Sequence, residues 1–112
     1  MKFINTPLDG AYIVELEKIE DDRGFFSRLY CSDDFKNMGI KKKIKQVNNS
    51  YSEYMGTLRG IHFQINPKAE SKLVRCIQGA LFDVIVDLRK NSVTYKKWFG
   101  AKLSSDNRKM MY

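Results

Sequence analysis

The chain has 112 residues, 20 Lys and Arg against 13 Asp and Glu, a net charge of +7, a single His and two Cys. This length suits one domain and excludes two ordinary ones, while 43% hydrophobic residues are enough to build a core and exclude global disorder. No apolar run approaches the roughly 18 residues of a spanning helix, and the first ten residues lack a signal-peptide core, so we predict a soluble, cytoplasmic protein without membrane contact.

Strand signals dominate the chain. A turn is predicted at 21–24, and one short helix is predicted over 33–38, with an N-cap at Ser32-Asp33-Asp34 and a stop at Gly39. Seven or eight strands are predicted: 11–16, 25–30, 57–64, 72–78, 81–89, 95–103 and 108–112, with 44–50 as the eighth. The pattern indicates an all-β fold, an antiparallel sandwich or barrel, formed by a single domain over 1–112.

The last segment, 109–112, resembles a strand that has just begun, with no turn or polar tail after it. An all-β fold that stopped there would leave an open sheet edge. We therefore expect a domain that is incomplete at its carboxyl end and lacks its closing strands.

The two cysteines, Cys31 and Cys76, are too far apart for a metal knuckle and too few for a disulfide framework. Cys76 lies in the apolar run LVRCI and is predicted to be a buried, reduced thiol. Because His62 is the single histidine, a metal site built on two or three imidazoles cannot form within one copy of the chain. The predicted chemistry therefore uses one imidazole with Lys, Arg, Tyr and carboxylates, and no metal.

Charge is distributed unevenly. The first 22 residues carry a net charge of −4 and the remaining 90 a net charge of +11, which favours an anionic partner such as a phosphorylated metabolite or a nucleic acid. The densest cluster, Lys41 to Lys45, follows the predicted helix and is interpreted as a solvated turn. Nucleic-acid binding is not favoured, because no regularly spaced aromatic residues lie between the lysines to stack on bases.

Strand alternation indicates which polar groups converge. A β-bulge at Gly60 would place Arg59 and His62 on the same face of the 57–64 strand. Asp83 shares a face with Leu81, Ile85 and Asp87, and a carboxylate in such company needs a cationic partner. Lys72, Arg59 and His62 are the candidates for that partner.

This group of residues is typical of a proton-abstraction site, although a lone strand histidine is also compatible with a purely structural role. Three further side chains are interpreted structurally. Asp87 and Arg89 are predicted to form a surface ion pair at a strand end, Arg23 to occupy a turn, and Trp98 with Phe99 to lie in the core.

Several segments resemble the dTDP-4-dehydrorhamnose 3,5-epimerase family in order and spacing, and the resemblance covers essentially the whole chain. The most specific stretch runs from LRGIHFQ to KLVRCIQGALFDVIVDLR; the others are TPLDGAYIVE, DDRGFFSRLY, QVNNSYSEYMGTLRGIHFQ and SVTYKKWFGAKLSSDNRKMMY. The resemblance implies a cupin-type jelly roll that works without a metal or other cofactor. It also implies a homodimer whose amino-terminal strands exchange between subunits.

The resemblance also implies roles for individual residues. The substrate would be a nucleoside-diphosphate 4-keto-6-deoxyhexose, whose C4 ketone acidifies the hydrogens on C3 and C5. His62 matches the base and Lys72 the cation that stabilises the enolate, while Asp83 would pair with one of them. The residues that match the substrate-binding positions are Arg23, Phe26, Arg28, Gln46, Asn48 and Arg59, among which Arg23 and Arg59 match the diphosphate anchors.

Three departures from the family pattern accompany this match. Arg28 stands where many members have Glu, and GTLRG replaces the commoner GVLRG, which suggests a branch acting on another nucleotide sugar. The spacing from Gln46 to Arg59 is one residue longer. The tyrosine and aspartate that complete the family's site would lie in a further segment.

Two other functions remain open at this point. The first is a noncatalytic nucleotide-sugar binding module with the same fold and anchors. The second is a small basic nucleic-acid binder that uses the lysine cluster. Within the enzymes, epimerisation at C3 or C5 alone and ketoisomerisation through the same enolate are further alternatives.

Overall fold

Eight short strands and one helix make up the protein, for which a computed structural model describes all 112 residues. Their bounds are β1 Lys2–Asn5, β2 Tyr12–Glu15, β3 Lys18–Asp21, β4 Gly24–Ser27, α1 Ser32–Asn37, β5 Val74–Arg75, β6 Ala80–Val86, β7 Trp98–Ser104 and β8 Met110–Met111. All strand pairs are antiparallel. The six-residue helix is the only one, so no helix of this chain could span a membrane.

The strands form three sheets: a four-stranded sheet in the order β1-β2-β8-β5, the hairpin β3-β4 and the hairpin β6-β7. The core lies between the four-stranded sheet and the inner face of β6-β7. Its buried residues are Ile13, Cys76, Leu103 and Met111, and its partly buried members are Ile4, Val74, Ile85, Phe99 and Ala101. Strand alternation explains this set. The cross-strand neighbours are Ile4, Ile13, Met111 and Val74, so all four side chains lie on the same face of the sheet.

An aromatic cluster covers the opposite face of the four-stranded sheet. Phe35 of α1 is 3% exposed, and its ring centroid lies 5.0 Å from those of Phe3 and Tyr30 and 5.8 Å from that of Tyr112. These separations are typical of favourable aromatic pairs, so α1 is anchored by one side chain. The sheet therefore has apolar contacts on both faces.

Much of the sequence-based description is confirmed. The helix, the turn before β4, the positive φ of Gly39 (79°) at the helix stop and the buried free thiol of Cys76 all occur as expected. The lysines from 41 to 45 are exposed and lie outside any helix or strand, so their predicted solvation is confirmed, although the segment forms no turn. The N-cap prediction is shifted by one residue, because Cys31 occupies that position without a side-chain hydrogen bond.

Other expectations were wrong. Residues 44–50 and 57–64 form no strand, and β1 and β3 were not predicted. The segment 57–64 has the composition of a strand, but no neighbouring strand pairs with its backbone, and a strand persists only when it is paired. The predicted β-bulge at Gly60 therefore does not exist, and Trp98 lies on the outer face of β7 with 64% exposure, outside the core.

Candidate active site

The inner face of β6 carries an unpaired carboxylate. Asp83 lies in the middle of β6 on the same face as Ile85, opposite Ala101, and is half-buried. Burial raises the pKa of Asp83 above its usual value, and the backbone N–H of Val84 and the positive charge of Lys72 offset only part of this effect. Ionisation of Asp83 therefore costs more free energy here than in water. Carboxylates with a raised pKa are common in functional sites.

The expected ion pair of Asp83 does not form. The ammonium of Lys72 lies 3.0 Å from a carboxylate oxygen of Glu70, and both side chains are partly exposed. Neither His62 nor Arg59 makes a hydrogen bond or ion pair with Asp83. The positive charge of Lys72 acts on the pKa of Asp83, but no hydrogen bond or ion pair joins the two side chains, and Glu70 is the ion-pair partner of the lysine.

His62 and Arg59 lie on an irregular segment, where every residue from 41 to 70 is exposed. The imidazole of His62 folds back over Gly60: Nδ1 would lie 3.3 Å from a Cβ placed on that glycine. Gly60 has a φ of 103°, a conformation that other residues rarely adopt. Arg59 donates a hydrogen bond from Nη1 to Oγ of Ser50, which links the two ends of the loop that precedes the histidine.

The hairpin β3-β4 presents another group of predicted binding residues. Arg23 occupies its two-residue turn with a side chain that is 90% exposed, paired with Asp21. Phe26 is 71% exposed on one face of β4, and Arg28 is exposed just after the strand. No hydrogen bond or ion pair joins these residues to Asp83 or Lys72 within the chain.

Gln46 and Asn48 lie in the exposed segment, and their side chains make no hydrogen bond. The structure therefore divides the predicted site residues into three groups: the β3-β4 hairpin, the 41–70 segment, and Lys72 with Asp83. It also gathers no group of three or more His, Cys, Asp or Glu side chains.

A second carboxylate, Asp87, follows the end of β6 and has the opposite environment. Its side chain is 2% exposed and accepts hydrogen bonds from Arg89 Nε and Nη2 (both 2.9 Å), Ser92 Oγ (2.5 Å) and Thr94 Oγ1 (2.7 Å). The bonds from Arg89, Ser92 and Thr94 lower the pKa of Asp87 far below its usual value. The predicted ion pair with Arg89 is thus present, but its acidic member is buried, which corrects the expected surface pair.

This network also joins two parts of the fold. Arg89 Nη2 donates a hydrogen bond to the backbone oxygen of Asp9 at 2.9 Å, so the connection between β6 and β7 is attached to the loop between β1 and β2. Because every acceptor of Asp87 is occupied within the chain, we assign this carboxylate to the fold and not to the site.

Three contacts of site residues escaped the sequence analysis: Asp21 with Arg23, Glu70 with Lys72, and Ser50 with Arg59. The first two join residues two positions apart and of opposite charge. The D-x-R pattern in a predicted turn was therefore an available signal, since Asp side chains commonly bond to the backbone two residues on. The Ser50 contact spans nine residues and had no such signal.

The antiparallel sheets, their connections and the core between them define a cupin-type jelly roll. The comparisons with known proteins agree, since the sequence profile described as dTDP-4-dehydrorhamnose 3,5-epimerase matches residues 5–112. The chain belongs to the dTDP-4-dehydrorhamnose 3,5-epimerase family.

Individual relatives support this assignment. The chain is 47% identical over 111 residues to a dTDP-4-dehydrorhamnose 3,5-epimerase of Methanothermobacter thermautotrophicus, covering 99% of this chain and 59% of the relative. It is similar to a crystal structure of the Bacillus anthracis enzyme with TDP and PPi bound (TM-score 0.92, 46% identity, 98% of this chain and 63% of that one). A Legionella pneumophila dTDP-6-deoxy-D-glucose-3,5-epimerase, in complex with dTDP-4-keto-L-rhamnose, gives a TM-score of 0.81 at 32% identity, over 98% of this chain and 58% of that one. The chain thus spans about three fifths of the length of the relatives it matches.

Proposed function

We propose that this protein is a nucleotide-sugar epimerase that inverts C3 and C5 of a nucleoside-diphosphate 4-keto-6-deoxyhexose of the dTDP type. The observation that carries this proposal is the likeness in sequence and fold to solved epimerases that hold TDP with PPi and dTDP-4-keto-L-rhamnose. The reaction would supply a deoxysugar of the rhamnose type in the cytoplasm, and the active protein would be a homodimer.

In the proposed reaction, His62 removes the proton from C3 or C5, and the electron pair of the broken C–H bond moves into an enolate whose charge lies on the C4 oxygen. A proton delivered from water to the opposite face of the carbon completes the inversion, and His62 passes the proton that it removed to water, so no redox cofactor is needed. An imidazole is the side chain that most often serves as the general base in such proton transfers. Because His62 is exposed and makes no hydrogen bond, it is free to accept the proton.

Lys72 would stabilise the enolate. Its ammonium is already within the electrostatic reach of Asp83 and is only loosely held by Glu70 at the surface. A positive charge placed where negative charge develops lowers the barrier to proton removal. The ionised carboxylate of Asp83 would attract Lys72 towards the inner face of β6 when substrate replaces the contact with Glu70.

The remaining site residues would bind the nucleotide. Arg59 and Arg23 present exposed guanidinium groups suited to paired phosphate oxygens. Phe26 and Arg28 would contact the nucleoside, and Gln46 with Asn48 would line the sugar pocket. The net charge of +11 over residues 23–112 favours a diphosphate electrostatically.

Proton NMR in D2O tests the proposal with dTDP-4-keto-6-deoxyglucose as substrate. We expect the signals of the hydrogens on C3 and C5 to disappear with the protein and to persist with His62→Ala, whose exchange should be slower by about 10²–10⁴-fold. Loss of one signal alone would identify a single-carbon epimerase. Binding without exchange would show a noncatalytic module and refute the proposed activity, and equal exchange by His62→Ala would refute the role of the histidine.

A further inference from the structure

The turn between β3 and β4 holds an arginine in a defined position. Asp21 is the last residue of β3 and pairs with Gly24, the first residue of β4, so Asp22 and Arg23 form a two-residue turn. Asp21 Oδ1 accepts a hydrogen bond from the backbone N–H of Arg23 at 2.9 Å. Asp21 Oδ2 accepts two more from the Arg23 side chain, from Nη2 at 2.6 Å and from Nε at 3.2 Å.

These contacts use one edge of the guanidinium. Arg carries five N–H donors in a rigid plane, and Asp21 occupies the edge formed by Nε and Nη2. The other edge, formed by Nη1 and the second N–H of Nη2, points away from the carboxylate on a side chain that is 90% exposed. A fork of this geometry matches two oxygens of a phosphate group.

We propose that Asp21 is a positioning residue that holds Arg23 ready to receive the phosphate oxygens of a nucleoside diphosphate. The inference deepens the proposed function and rests on it. An exposed arginine normally samples many rotamers and loses that freedom when it binds a ligand. The contact with Asp21 restricts the side chain before binding, so less freedom is lost when the phosphate arrives.

The charge of Asp21 acts in the opposite direction, because a carboxylate repels a phosphate. At an exposed site in physiological salt this repulsion is weak, since water and ions screen charges beyond the first contact. The ordering of Arg23 does not depend on screening to the same extent, because it comes from short hydrogen bonds. We therefore expect the removal of Asp21 to weaken binding and not to strengthen it.

Calorimetric titration with dTDP tests the inference on the full chain in 0.15 M salt. Asp21→Ala should weaken binding about two- to fivefold, the range of an exposed ion pair. Asp21→Glu keeps the charge but moves the carboxylate by one methylene, so it should weaken binding to a similar extent. Asp22→Ala is the matched control, because the neighbouring carboxylate makes no hydrogen bond or ion pair.

A double-mutant cycle separates positioning from general structural damage. In the Arg23→Ala background, Asp21→Ala should have no further effect on dTDP binding. Tighter binding by Asp21→Ala, unchanged binding by it, or an equal effect in the absence of Arg23 would each overturn the inference while leaving the proposed function intact. Failure of the unaltered protein to bind dTDP would overturn both.

Discussion

The two hairpins and the central sheet differ from the 41–70 segment in how their side chains are used. We call the two hairpins and the central sheet, with their short connections, the framework. In it, apolar residues such as Leu103 and Val14 are completely buried, and Asp87 has partners for both of its oxygens. In the segment, every residue is exposed, and it carries Arg59 and His62 among the predicted site residues. Side chains that stabilise the fold are buried among several partners, whereas those predicted to bind substrate in the 41–70 segment are exposed and either unpaired or bonded to a single residue, as Arg59 is to Ser50.

Asp83 and Asp87 show the same contrast within one strand and its end. Both belong to one alternating pattern, yet burial raises the pKa of Asp83 while hydrogen bonds lower that of Asp87. A fold optimised for stability alone would not bury an unpaired carboxylate. The difference is consistent with the proposed role of Asp83 in the site and with a structural role for Asp87.

The largest expected effect is on the free energy of unfolding, and a matched pair of leucines, one in the framework and one in the 41–70 segment, tests it. Leu103→Ala should reduce the free energy of unfolding by about 2–5 kcal/mol, because it leaves a cavity in the core, where Leu103 is 0% exposed. Leu58→Ala should change it by no more than about 0.5 kcal/mol, because Leu58 is 92% exposed. Urea unfolding followed by circular dichroism measures both, and a comparable loss for Leu58→Ala would show that the segment packs against the framework.

The next largest effect is on dTDP binding, with the stability of the fold unchanged. Arg59→Ala should weaken dTDP binding about ten- to hundredfold, the value of charge-assisted hydrogen bonds to a phosphate, while the Tm stays unchanged because Arg59 is exposed and its side chain makes a single hydrogen bond, to Ser50. Calorimetry and thermal unfolding test the two statements. Lys43→Ala removes an equal charge from the same exposed segment, and an equal loss of affinity there would reduce the role of Arg59 to general electrostatics.

The smallest effect is on the pH dependence of stability. The raised pKa of Asp83 means that its contribution to stability is complete below the unfolded value of 3.8 and is lost as the pH rises through the folded-state pKa. Asp83→Asn should therefore raise the Tm at pH 7 by about 2–4 °C, and the gain should disappear near pH 3. At the same time it should slow exchange at C3 and C5.

Asp87→Asn is the control of opposite sign. Its lowered pKa means that its contribution is present above 3.8 and is lost as the pH falls through the folded-state pKa. This variant should lower the Tm at pH 7, and the difference from the unaltered protein should shrink in acid. Differential scanning calorimetry from pH 3 to 7 measures both aspartates, and a decrease in Tm for Asp83→Asn at pH 7 would contradict the assignment of that carboxylate to the site.

Local sequence was sufficient for the all-β class, the helix, the β3-β4 turn, the approximate positions of β6 and β7, and the burial of Cys76. These features depend on residues close together in sequence: turn formers, a helix stop and alternating apolar positions. The family resemblance could also be stated from the sequence, because it depends on the order of residues alone.

Tertiary structure alone decided the rest. β1 exists because the edge of β2 accepts it, β3 has only exposed residues and is held by β4, and 57–64 has strand composition but no paired neighbour. Whether Lys72 forms an ion pair with Glu70 or with Asp83 likewise depends on distances between side chains, which the alternation of residues along a strand does not specify. Strand pairing depends on contacts between separate parts of the chain. The neighbours of a residue in sequence indicate which face of a strand it occupies, but the fold determines which partner packs against that face.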